Sequence, residues 1–224
     1  MTDGKRCAIT TLFFDVGGVL LTNGWDRHMR RAAAERFGLD WDDLQDRHEQ
    51  VVSEFETGRL SLERYLRHTV FNRERSFSLD EFRSHMLAQS QPYDDSLRLA
   101  RELAVGGKYL CGTINNESRD LNGYRIDRFE LADVFDVFVS SCYVGVRKPD
   151  PGIYRLALEV TQRDPEECVF VDDRPLNLEA AGEAGLAADR HPEEEFGAGR
   201  RDRREYPTDR TDRAPFRWPA ATTR

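Results

Sequence analysis

The sequence predicts an α/β fold: a doubly wound, mainly parallel sheet with an α-helical insert placed just after the first strand. Three observations predict it. Four short apolar runs are spaced along the chain, and three of them stop at carboxylates or an amide: Cys7–Phe14 before Asp15, Tyr109–Ile114 before Asn115, Val137–Ser140, and Cys168–Val171 before Asp172 and Asp173. Helical patterns separate the later runs, and strand–helix alternation of this kind implies parallel pairing. Residues 21–94 carry helical patterns only, far more chain than a crossover needs.

The elements follow in order. Cys7-Ala8-Ile9-Thr10-Thr11-Leu12-Phe13-Phe14 is continuously apolar and β-prone, as suits a strand covered on both faces. The insert shows four stripes at helical spacing. Trp25, Met29, Ala32, Ala33 and Phe37 form the first, and Trp41, Leu44, His48, Val51 and Phe55 the second. Leu62, Tyr65, Leu66 and Val70 form the third, and Ser78-Leu79-Asp80-Glu81 is a capping box that opens the fourth. Leu97, Ala100, Leu103 and Ala104 mark the helix that leads into the second strand. Asp150-Pro151 is an N-cap followed by proline at the first helical position, ahead of Ile153, Leu156, Ala157 and Val160. The predicted core is therefore residues 1–20 and 95–190, with 21–94 as the insert.

Composition narrows the class. The chain has 224 residues, 39% hydrophobic and 33% charged, with a formal charge of −8. That length buries a full core without staples. No window approaches the roughly 18 apolar residues of a membrane span, and the polar start, Met1–Arg6, is unlike a signal peptide. The acidic balance argues against nucleic acid as a partner. Cys7, Cys111, Cys142 and Cys168 form no C-x-x-C pair, so a reducing cytoplasm is the expected location. From Asp189 to the end, nine Arg and eight Asp or Glu interleave with four prolines. Residues 191–224 are expected to form a disordered tail.

In a doubly wound sheet, ligands bind beyond the carboxyl ends of the strands. Asp15, Asn115 and Asp172-Asp173 stand at such ends, and Lys148 follows the third strand. Three carboxylates, an amide and a lysine in one crevice suit a divalent cation and a phosphate, since Mg²⁺ takes oxygen ligands. The bland readings are a turn residue for Asp15, a helix cap for Asp172 and Asp173, and a solvated loop lysine for Lys148.

Together these residues carry a resemblance. Asp15-Val16-Gly17-Gly18-Val19-Leu20, Asn115, Arg147-Lys148-Pro149 and Val171-Asp172-Asp173 resemble the four motifs of the haloacid dehalogenase (HAD) superfamily, in order and at about the family's spacing. The insert sits where that family has its helical cap. The resemblance implies a Rossmannoid core and a Mg²⁺-dependent phosphatase acting on a small phosphorylated metabolite. Asp15 would be the nucleophile, forming an aspartyl phosphate. Asp15, the Gly17 carbonyl, Asp172 and Asp173 would hold Mg²⁺. Lys148 and Asn115 would bind the phosphate.

Two positions depart from the family pattern. Gly17 stands where its phosphatases usually carry a second Asp as general acid. The Ser or Thr that closes the second strand falls at Ile114. Two other readings follow: a catalytically weak HAD-fold binding protein, or another HAD reaction such as phosphotransfer or dehalogenation. The dehalogenase branch needs no metal and would not be expected to carry the Asp172-Asp173 pair. Trp25, His28, Glu54 and Arg59 are candidate substrate contacts from the insert. Glu56-Thr57-Gly58-Arg59-Leu60 resembles the family's site-facing cap loop. Substrate identity and oligomeric state are not legible in the sequence.

Overall fold

The computed structural model describes residues 8–190. The tail expected to be disordered lies outside them. Five parallel strands form one sheet in the order β3-β2-β1-β4-β5. They are β1 (Thr11–Phe14), β2 (Leu110–Asn115), β3 (Val137–Ser140), β4 (Cys168–Asp172) and β5 (Ala187–Arg190). Four are the apolar runs of the sequence. The fifth, Ala187-Ala188-Asp189-Arg190, carries no apolar run because it is a short edge strand, paired on one side only and half-exposed along its length. Strand order reverses between β1 and β4, and this switch point opens a crevice beyond their carboxyl ends.

Both sheet faces are covered, which explains the unbroken apolarity of β1. Leu12 and Phe14 pack on one face with Leu97 and Ala100 of α5 (Asp94–Ala104). Phe13 packs on the other with Ile153, Tyr154 and Ala157 of α8 (Pro151–Thr161) and Ala180 and Ala181 of α9 (Pro175–Glu183). The remaining core helices are α6 (Arg119–Arg128) and the single turn α7 (Ser141–Val144).

Between β1 and α5 stand four helices: α1 (Arg27–Phe37), α2 (Trp41–Glu56), α3 (Leu62–Thr69) and α4 (Leu79–Ala88). Each starts where a short polar side chain caps it: Asp26, Asp40, Ser61 and Ser78 accept from the backbone three residues on. The stripes meet in a core of their own, with Trp25, Leu44, Phe55, Tyr65, Leu66, Phe82 and Met86 buried together. Two segments join this unit to the sheet, and they bond to each other. Thr22 N–H donates to Gln91 C=O at 2.8 Å, and Tyr93 N–H to Leu20 C=O at 2.9 Å. Among the described residues no helix is long and apolar enough to cross a membrane.

Candidate active site

Asp15 leaves the end of the central strand, its N–H bonded to Val171 C=O of β4 at 2.8 Å. One carboxylate oxygen accepts from Val16 N–H at 2.7 Å, and the other lies 2.9 Å from Lys148 Nζ. Asp172 ends β4 beside it, with Oδ2 2.7 Å from the same ammonium. Asp15, Asp172 and Asp173 offer carboxylate oxygens within 4.8 Å of one another, and all three residues are buried. Lys148 is the ammonium between them, 2% exposed. Two carboxylates on one ammonium leave this pocket with an excess of negative charge.

The two aspartates of β4 differ. Asp172 is saturated. Its Oδ1 accepts from Arg174 N–H at 2.7 Å, and the Asn177 amide donates to both its oxygens at 3.0 Å. Asp173 keeps Oδ1 buried with no partner. Its carboxylate packs against Gly18, where φ is +83° and a Cβ would overlap the carboxylate. Glycine is required there on both counts. Burial pushes the Asp15 carboxyl up to about 7; Lys148 opposes the rise, and the charges of Asp172 and Asp173 add to it. Asp173 is also raised, by burial first and then by Asp172.

Lys148 is placed by a residue that sequence reasoning passed over. Asn116 accepts from Lys148 N–H at 2.8 Å and donates to Lys148 C=O at 2.9 Å. Asn115, expected to bind the phosphate, donates to Asn122 Oδ1 at 2.9 Å. β2 runs one residue further than expected and ends at Asn115, so the strand-closing position is not Ile114. Ile114 is fully buried in the core with Phe13 and Val139. Asn177, four residues beyond the motif Val171-Asp172-Asp173, holds Asp172 with its side-chain amide.

The insert residues separate sharply. Trp25, expected to contact substrate, is buried in the insert core, where its indole N–H donates to Tyr65 Oη at 2.7 Å. His28, Glu54 and Arg59 are exposed. Glu56 is the carboxylate that crosses to the core: its Oε2 lies 3.0 Å from Arg147 Nη1. Burial raises its pKa, against Arg147 and Arg174. Ser141 Oγ donates to Glu56 C=O at 2.6 Å, and Gly58, at φ +72°, sits against the Cys142 carbonyl. The loop 56–60 is thereby fastened to the core.

A buried ion pair is also absent from the sequence reading. Arg125 of α6 is 1% exposed and donates to the Glu117 carboxylate, to Thr22 C=O at 2.8 Å and to Ser90 Oγ at 3.1 Å. A lone arginine within a helix gives no sequence signal for such a role.

Residues 9–185 match the family model described as haloacid dehalogenase-like hydrolase. The chain is 27% identical over 198 residues to bifunctional epoxide hydrolase 2 of Sus scrofa, covering 80% of this chain and 36% of that protein. It thus spans about a third of that relative's length. It is 27% identical to the phosphorylated carbohydrates phosphatase of Thermotoga maritima, covering 78% of this chain and 81% of that one. It is 30% identical over 145 residues to flavin mononucleotide hydrolase 1 of Arabidopsis thaliana, 64% of this chain and 57% of the relative. Among solved structures, the magnesium complex of a HAD family enzyme from Bacteroides thetaiotaomicron superposes with a TM-score of 0.71 at 21% identity, covering 84% of this chain and 96% of that one. A dehalogenase structure superposes with a TM-score of 0.58 at 21% identity, covering 85% of this chain and 86% of that one. Fold, motif order and the match over residues 9–185 agree: the chain belongs to the haloacid dehalogenase-like hydrolases.

Proposed function

We propose that the chain is a Mg²⁺-dependent phosphatase for a small phosphorylated metabolite, with Asp15 as nucleophile. The observation that carries this reading is the acidic pocket itself. Three buried carboxylates crowd together, two of them, Asp15 and Asp172, share one ammonium, and Asp173 Oδ1 lies buried without a partner. Such an oxygen needs a partner, and a hard cation supplies one through oxygen ligands. Asp15, Asp173 and the Gly17 carbonyl would hold Mg²⁺, while Asp172, saturated by its neighbours, positions Lys148. When bound, the ion would neutralise the crowded oxygens so that Asp15 attacks as a carboxylate.

The chain's own residues then act as follows. Lys148 Nζ draws the phosphoryl oxygens toward Asp15 and offsets their charge. An Asp15 oxygen attacks phosphorus, and the bond from phosphorus to the leaving oxygen breaks. Water then attacks the phosphorus of the aspartyl phosphate and releases inorganic phosphate, restoring Asp15. The four-helix insert, residues 21–94, serves as the cap over residues 1–20 and 95–190, with loop 56–60 toward the site.

The relatives support this reading. Two carry names of phosphate ester hydrolases, and a Bacteroides HAD enzyme of the same fold was solved with magnesium and inorganic phosphate. The free, buried Cys111, Cys142 and Cys168 suit a reducing cytoplasm. The test is p-nitrophenyl phosphate hydrolysis after EDTA treatment, with and without added Mg²⁺, beside chloride release from a 2-haloacid. Mg²⁺-restored phosphatase activity supports the reading. Metal-independent chloride release without phosphatase activity would move the chain to dehalogenation.

A further inference from the structure

Cleaving a phosphate ester expels an alkoxide, and a positioned proton donor there is typically worth about 10²–10⁴ in rate. The clustered carboxylates are otherwise engaged: Asp15 is the proposed nucleophile, Asp172 is saturated, and Asp173 belongs to the proposed cation site. Gly17 brings no side chain. The space beside Gly17 is shared by Asn23, whose Oδ1 would lie 3.4 Å from an added Cβ, and by Arg125 of α6. A Cβ on Gly17 would lie 3.5 Å from Arg125 Nη1, and that same nitrogen donates to Glu117 Oε1. Glu117 lies two residues beyond the end of β2 and is 5% exposed. Its Oε2 is buried with no partner, an arrangement that is unfavourable unless a ligand completes it.

The setting is rigid. Arg125 is fixed on two further sides by Thr22 C=O and Ser90 Oγ. Glu117 N–H donates to Ser141 Oγ at 3.0 Å, and that hydroxyl donates in turn to Glu56 C=O. Both linkers of the insert are therefore tied to Arg125, and its loop 56–60 to Ser141, the two residues that hold Glu117.

We propose that Glu117, presented by Arg125, is the acid–base residue of the reaction, supplying the carboxylate that Gly17 does not. The proposal rests on the phosphatase reading above. Glu117 gives its proton to the leaving oxygen as the phosphorus–oxygen bond breaks and the bond to Asp15 forms. The alcohol departs neutral, and Glu117 becomes a carboxylate. It then takes a proton from the attacking water as phosphate leaves Asp15, which restores both groups. Burial raises the pKa of Glu117 against the charges of Arg125 and Lys148, in the direction a proton donor needs.

The test compares native protein and Glu117→Gln on substituted phenyl phosphates, from p-nitrophenyl to p-methoxyphenyl, in saturating Mg²⁺. The variant should lose less than about threefold in kcat/KM with the p-nitrophenyl ester and on the order of 10²-fold with the p-methoxyphenyl ester. An equal loss on both esters, or none, overturns the assignment and makes the pair structural. Native protein inactive on every ester overturns the phosphatase reading and this proposal with it; an active native protein with an unchanged slope overturns Glu117 alone. If Glu117→Gln does not fold, Glu117→Asp keeps the charge on Arg125 while withdrawing the carboxyl by one methylene. Its loss must then grow along the same series, and an equal loss across it overturns the proposal.

Discussion

Asp15 has both its oxygens placed before any ligand arrives, one by Val16 N–H and one by Lys148. Asp15→Asn keeps that shape and removes the charge. Turnover of p-nitrophenyl phosphate should fall at least about 10³-fold, with an unchanged far-ultraviolet circular dichroism spectrum; retained turnover in the purified variant would remove Asp15 as nucleophile. His48 makes the opposite kind of prediction, one about stability. Trp25 Nε1 donates to Tyr65 Oη, which lies 2.8 Å from His48 Nδ1. Burial keeps the Tyr65 phenol above its usual range, so it keeps its proton. Burial, with the charges of Arg30 and Arg147, pulls His48 down to about 3 from 6.5. The unfolded chain therefore takes up a proton between those two values that the folded chain refuses. Stability is complete above pH 6.5 and falls as pH drops, by up to about 1.4 kcal/mol per pH unit. Between pH 7 and 5 the native protein should lose roughly 2 kcal/mol more in urea unfolding than His48→Asn. Equal losses would mean that His48 is protonated in the folded state.

At the scale of elements, the insert is coupled to the sheet at two seams. Its linkers are zipped through Thr22, Gln91 and Tyr93, and its loop 56–60 rests on α7. Gly58 allows the second contact: φ is +72°, and a Cβ would overlap the Cys142 carbonyl. Gly58→Ala should lower stability by about 1–3 kcal/mol. The lifted loop should also raise KM more than it lowers kcat. A variant with native melting temperature and KM would show that this seam does not govern the site. The helices themselves were legible as stripes and caps, since a 3.6-residue period and an N-cap are local signals. The exposed edge strand β5 was not, because it lacks the doubly covered environment that makes the other strands apolar.

At the scale of the molecule, the site is a seam between halves of the chain far apart in sequence. β1 brings Asp15, β4 brings Asp172 and Asp173, and the segment after α7 brings Lys148. Their mutual repulsion works against the fold, and a bound cation would relieve it. Mg²⁺ should therefore raise the melting temperature, by the linkage RT ln(1 + [L]/Kd), about 2.7 kcal/mol at one hundred times Kd. Asp173→Asn should weaken that response, and EDTA should reverse it. A melting curve indifferent to Mg²⁺ would remove the cation from the site.

The sequence by itself determined four of the five strands, the helical patterns of the insert and the four motif positions that carry the family. Each of these is written in local periodicity or in a short spacing. Tertiary structure alone decided how those residues are used. It saturated Asp172 and left Asp173 open, bonded Asn115 to Asn122, and put Asn116 on Lys148. It buried Trp25 and turned Glu56 rather than Glu54 toward the core. It also set Arg125 against Thr22, 103 residues away, beside Gly17 and bonded to Glu117. Hydrogen-bond partners at such separations depend on how the sheet and insert pack together, and no local pattern encodes that packing.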